Sequence, residues 1–205
     1  MMNQYEDLPT SIWLKNLPYP GLVLIKAIGD GSCFFHAILR AFYPNYYYGN
    51  HALRKYYAQY VRYSLANKLT EVDCNGKYYY DILSNGQLRK ISKECQQLKC
   101  SLEEMVSELK SDQFVGNHYH ELISEQLNKD IYIIDLKTQD VYSTAAIPEL
   151  LYKKRDSIFI GYDEERQHFD VIGVRKNNFN VDTLLQPNHQ FTLMVNNRLK
   201  TLSKM

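Results

Sequence analysis

The spacing of apolar positions changes character along the chain. Phe34, Ala37, Ile38, Ala41 and Phe42 share one face of a helix that begins just after Cys33 and is ended by Pro44. A second helix is predicted from about Ala52 to Leu69, with Leu53, Tyr57, Tyr60, Val61 and Leu65 on a core-facing side. Leu102, Met105, Val106 and Leu109 predict a further helix, as do Tyr119, Leu122, Ile123 and Leu127. The second half reads instead as short β-rich runs: Ile131–Ile134, Ser157–Tyr162, Phe169–Val174 and, last, Phe191–Val195. The polar stretch Asp163–His168 between two of them suits a hairpin loop. Earlier, the turn Pro18-Tyr19-Pro20-Gly21 leads into the apolar run Leu22–Ile25. The stretch from Cys74 to Cys100 is polar and mixed and predicts no element.

Helices early and strands late predict an α+β fold, a sheet packed against helices. With no internal repeat or low-complexity linker, residues 1–205 are expected to form one domain, with 1–20 an N-terminal arm and 196–205 a flexible tail.

Composition narrows the partners more than the chemistry. The 205 residues are 45% hydrophobic and 23% charged, an ordinary globular balance. Lys and Arg number 24 against 23 Asp and Glu, which gives no electrostatic case for nucleic acid or a membrane surface. No run of about 18 apolar residues occurs and the N-terminus lacks a signal-peptide pattern, so a cytoplasmic location with reduced thiols is expected. The four cysteines, Cys33, Cys74, Cys95 and Cys100, contain no Cys-x-x-Cys pair, which weakens zinc and dithiol redox readings. The bias towards Tyr, Asn, Lys and Ile fits an AT-rich coding sequence, as in some large DNA viruses or protists.

One cysteine stands in a setting that favours reactivity. Thiols attack carbonyls as thiolates, and a helix N-terminus or a nearby imidazolium favours that form. Cys33 opens the first helix behind Gly29-Asp30-Gly31-Ser32. Gly31 permits a tight turn, and the amides of Gly31, Ser32 and Cys33 are expected to converge on an oxyanion. A lone cysteine by an apolar helix is equally a small buried hydrophobe, and the other three are assigned to that class or to the surface. A base decides between the two.

Of six histidines, His168 has the best context, at the end of a polar loop and the start of a strand. Asp170 lies two residues on and therefore on the same face, where its carboxylate can fix the imidazole. Taken alone, His168 is an ordinary loop histidine. His36 is expected to pack beside the site. His118 and His120 form a His-x-His pair without further ligands at metal-site spacing.

Three blocks in order carry a family resemblance. Asp30-Gly31-Ser32-Cys33-Phe34-Phe35-His36-Ala37 resembles the nucleophile motif of the ovarian-tumour (OTU) family of deubiquitinases. Phe114-Val115-Gly116-Asn117-His118-Tyr119-His120-Glu121-Leu122-Ile123 resembles that family's segment between nucleophile and base. His168-Phe169-Asp170 resembles its His-aromatic-acid block. The resemblance spans residues 30 to about 174. It implies a papain-like cysteine-protease fold of OTU type, in which a mixed sheet packs against helices. It also implies cleavage after the C-terminal Gly of ubiquitin or a ubiquitin-like modifier, with no metal or cofactor. It assigns Cys33 as nucleophile, His168 as base and Asp170 as orienting acid, with Asp30 as an alternative acid. The backbone at Gly31 and Ser32 serves the oxyanion, and Gly116, Asn117, His118 and Phe169 contact substrate. The expected partner is the modifier with its conjugates, the protein acting as a monomer. A rival reading on the same fold is a catalytically silent ubiquitin-binding module.

Overall fold

The computed structural model describes residues 8–82, 101–115, 119–142, 151–177 and 180–203. Leu14 and Leu17 of the N-terminal arm are buried, and the arm contributes β1 (Thr10–Ser11). Gly21, at φ +78, turns the chain into β2 (Leu22–Ile25), a backbone angle that glycine takes without penalty. Then come α1 (Cys33–Phe42), α2 (Pro44–Tyr47), α3 (His51–Leu69) and α4 (Tyr79–Ile82). Two further helices, α5 (Leu102–Lys110) and α6 (His120–Leu127), precede β3 (Asp130–Asp135) and β4 (Asp140–Tyr142). The chain continues through β5 (Ser157–Asp163), β6 (His168–Arg175), β7 (Val181–Asp182) and β8 (Leu184–Leu185), ending in α7 (Gln190–Leu202).

The sheet runs β1-β2-β6-β5-β3-β4, with β7 on β6 and β8 on β5. Its pairings are antiparallel except β3 with β5, so the sheet is mixed. Alternation along the central strands feeds two cores. Ile131, Ile133, Ile158, Ile160, Phe169 and Val171 pack with α1, α3, α5 and α6. Tyr132, Ile134, Phe159, Ile172 and Val174 pack with the arm and α7. Helix α1 is sandwiched in the first core, nine of its ten residues being buried, so its N-terminus is held by packing on every side.

Two expectations are corrected. Residues 191–195 are helical, not a strand, and the helix continues through Leu202, so 196–202 is not a flexible tail. Phe191, Val195 and Leu199 recur every four residues on the second core, and His189 caps the first turn, its Nδ1 accepting from the Phe191 amide at 3.2 Å. The β-branched and aromatic composition is overridden by that burial.

The core face of α3 is the expected one only in part: Leu65 is buried and Tyr57 and Val61 pack against the first core. Ala58, Arg62, Leu65, Ala66 and Leu69 are buried, whereas Leu53 is 40% and Tyr60 61% exposed. Tyr47, Tyr48, Tyr56 and Tyr63 are exposed too, so the tyrosine-rich stretch is largely surface. A buried arginine displaced the stripe that apolar periodicity alone would place.

Candidate active site

Cys33 is the first residue of α1, its side chain under the N-terminal turn and almost fully buried. The candidate base, His168, is the first residue of β6 and pairs Asp163↔His168 across the hairpin. Gln167, just before it, takes a left-handed φ of +47, and its carbonyl faces Cys33 Sγ at 3.9 Å. Glycine occupies that region without the Cβ penalty, so Gln167→Gly is expected to stabilise the fold by about 1 kcal/mol. A melting temperature raised by about 2–4 °C would register it, and an unchanged or lowered one would contradict it.

His168 bridges the thiol and a carboxylate. Its Nε2 lies 3.1 Å from Asp170 Oδ1, and its ring also bonds the Cys33 side chain. The hydrogen bond that His168 gives to Asp170 first, and then its bond with Cys33, raise the imidazole to about 9, which favours the imidazolium at neutral pH. Asp170 is itself well held. The Ala27 amide donates to Oδ1 at 2.9 Å and Lys26 Nζ to Oδ2 at 3.2 Å, with Arg166 Nη2 3.7 Å away. Burial pushes this carboxyl up, but the bonds from His168 and Ala27 and the nearby cations outweigh it and keep Asp170 below the usual carboxylate value. The two-residue spacing of His168 and Asp170 thus becomes a direct contact.

Asp30 has a different job. Its carboxylate accepts from the Ser32 amide at 2.8 Å and meets His36 Nε2 at 3.2 Å, with Lys55 3.8 Å away. Burial raises its pKa while His36 lowers it, and the net displacement is downward. It therefore caps the nucleophile loop and sits on His36, not on His168. His36 is fully buried, its Nδ1 2.8 Å from Tyr46 Oη.

The oxyanion expectation needs amending. The Ser32 N–H is occupied by Asp30 Oδ1 and the Cys33 N–H by the Asp30 carbonyl at 3.1 Å, so these amides do not converge on free space. Phe169 is corrected as well. It is buried against Phe34, Phe114 and Tyr162, with ring centroids 4.7–6.1 Å apart, and faces the core instead of a substrate. Gly116, Asn117 and His118 lie outside the described residues. His120 is buried with its Nε2 on the Ile131 carbonyl; burial lowers it to about 4, which leaves it neutral. Among the described residues no group of three or more His, Cys, Asp or Glu could hold a metal ion, and no helix is long and apolar enough to cross a membrane.

Beside the His–Asp pair opens a cleft of about 920 Å³, lined among others by Lys26, Asp30, Arg54, Lys55, Arg166 and His168. Lys26, Arg62 and Gln167 were not singled out from sequence. Arg62 left a readable trace, because it falls on the four-three-four spacing of Ala58, Leu65, Ala66 and Leu69. Lys26 left none, since only tertiary pairing brings β2 alongside Asp170.

No protein-family model and no curated protein sequence matches the chain. Solved structures do. An OTU domain in complex with ubiquitin is similar over 89% of this chain and 84% of its own, with 15% identity and a TM-score of 0.56. The OTUD1 OTU domain is similar over 74% and 85%, with 16% identity and a TM-score of 0.47. The Hazara virus OTU bound to ubiquitin follows with 83% and 97% coverage, 15% identity and a TM-score of 0.45. A thiol at a helix start, facing a histidine on a mixed sheet, is thus set in a chain that has the fold of OTU domains.

Proposed function

We propose that this protein is a cysteine-dependent hydrolase that cleaves the peptide or isopeptide bond after the C-terminal glycine of ubiquitin or a ubiquitin-like modifier. The observation that carries the reading is the Cys33–His168–Asp170 arrangement, in which one imidazole lies between a thiol and a buried carboxylate. The partner follows from the ubiquitin held by a protein of the same fold.

In this reading Cys33 attacks as a thiolate paired with the His168 imidazolium. The sulfur bonds to the glycine carbonyl carbon, and the resulting oxyanion is met by backbone amides of the Gly31–Cys33 loop. His168 gives its proton to the departing amine as the C–N bond breaks, leaving a thioester. Water then attacks that thioester while His168 accepts a water proton, and Cys33 leaves as the thiolate beside the regenerated imidazolium. Asp170 holds the ring and its charge throughout. Because the Ser32 and Cys33 amides are engaged within the loop, turnover requires at least one of them to be released to the substrate.

Ubiquitin carrying a C-terminal electrophile tests this. It is expected to add covalently to Cys33, seen as one modifier's mass by intact mass spectrometry, and to leave Cys33→Ala unlabelled. Equal behaviour of the two proteins would remove the assignment. Tight, non-covalent ubiquitin binding by both, without turnover, would instead establish a silent binding module.

A further inference from the structure

Arg62 is fully buried in the middle of α3, and its guanidinium is almost completely spent on the segments around the nucleophile. Nη1 donates to the Gly31 carbonyl at 3.2 Å and to Ser32 Oγ at 2.8 Å. Nε donates to the Leu109 carbonyl at 3.0 Å, and Nη2 to the carbonyls of Glu108 at 2.8 Å and Gln113 at 3.1 Å. One side chain therefore ties the loop before Cys33 to the end of α5 and the segment after it. Burial lowers the guanidinium pKa, partly opposed by the charges of Asp112, Asp30 and Glu108. A cation placed there is costly unless its donors are satisfied, and the planar fork of arginine satisfies them in fixed directions.

Those directions have a stereochemical consequence. In a trans peptide the carbonyl and the following N–H point to opposite sides. Arg62 Nη1 and the Val115 amide, at 3.2 Å, both draw the Gly31 carbonyl inward. The Ser32 N–H is thereby turned outward, where it meets the cleft-lining carboxylate of Asp30. Close contact helps, since there is no room between Gly31 and the 112–113 backbone for even a Cβ.

We propose that Arg62 is a positioning residue for the proposed reaction: by holding the Gly31 carbonyl and the Ser32 hydroxyl on the core side, it fixes the Gly31–Ser32 peptide with its N–H facing the cleft, the orientation an oxyanion donor needs. The inference rests on the hydrolase reading but concerns a residue that touches neither substrate nor thiol. Lysine can keep the charge but not the fork, and methionine keeps neither.

The test compares Arg62→Lys and Arg62→Met with wild type on a ubiquitin C-terminal fluorogenic reporter. The alkylation rate of Cys33 by iodoacetamide and the ¹⁵N amide resonances of Gly31 and Ser32 are followed in parallel. The kcat is expected to fall about tenfold for Lys and about a hundredfold for Met, the scale of losing one oxyanion donor, with KM changed less than about threefold. Alkylation of Cys33 and its pH dependence should stay at the wild-type value, and the Gly31 and Ser32 resonances should shift. If Arg62→Met does not fold, Arg62→Lys and Ser32→Ala, which removes the 2.8 Å acceptor alone, carry the comparison. The proposal is overturned if Arg62→Lys keeps wild-type kcat, or if kcat and alkylation decline together in step with the folded fraction. Absence of turnover in wild type would instead refute the hydrolase reading. The positioning role would then stand or fall on whether the two amide resonances move in Arg62→Lys.

Discussion

Asp170→Asn is expected to reduce kcat/KM about 10³-fold while leaving the fold intact, the largest effect of any substitution that keeps the nucleophile and base. The amide is nearly isosteric, so the change is one of charge and proton direction. It cannot balance an imidazolium, and its N–H₂ can present the wrong polarity to Nε2 of His168, 3.1 Å away. Lys26 and Arg166 would then face an uncharged group, further disfavouring a cationic ring. The raised pKa of about 9 should drop towards the ordinary histidine value, moving the alkaline limb of the pH–rate profile down with it. The sign also fixes the stability profile. A pKa raised on folding contributes stability that is complete below the unfolded value, near 6.5, and is lost as pH climbs through about 9. The melting-temperature gap between wild type and Asp170→Asn should therefore narrow over that interval. An alkaline limb unmoved by the substitution would show that Asp170 does not govern His168.

Gly31→Ala should be the most damaging single-methyl change. A Cβ there would stand 2.1 Å from the Asp112 carbonyl oxygen and 2.7 Å from the Gln113 carbonyl carbon, both backbone atoms. Neither can swing aside as a side chain would, so the nucleophile loop and the 111–115 segment must separate. That movement strains the bonds from Val115 N and Arg62 to the Gly31 carbonyl. A loss of about 3 kcal/mol is expected, seen as a melting temperature lower by about 6–12 °C, with turnover falling at temperatures where the protein is still folded. Wild-type melting and turnover would mean that the two segments do not pack against each other in solution.

How much of this could be read beforehand depended on whether a feature was local. Cys33 after a glycine loop, and His168 two residues from Asp170, are short-range patterns, and tertiary structure places them together as those patterns suggest. The helices at 102–110 and 120–127 and the strands of the second half show their periods plainly. Phe169 was misassigned because a residue flanked by two site residues on a strand points the other way, into the core. The resting state of the oxyanion amides was not legible, because the short carboxylate of Asp30 satisfies one of them within its own loop, a competition typical of Asp side chains. Arg62 went unnoticed because an arginine in a helix is normally solvated, and its acceptors come from segments 30 to 51 residues away. Helix α7 reads as a strand over 191–195 alone, because the four-residue repeat of Phe191 and Val195 is completed only at Leu199.

The rings of Phe34 and Phe169, the residues that follow Cys33 and His168, meet edge-on with centroids 5.1 Å apart. The helix that carries the thiol and the strand that carries the imidazole are therefore joined in the core by hydrocarbon contact as well as by polar groups. Loosening this aromatic joint, by cosolvent or by a smaller side chain, is expected to alter the spacing of thiol and imidazole while the sheet stays paired, so that the proposed activity is lost before the backbone unfolds.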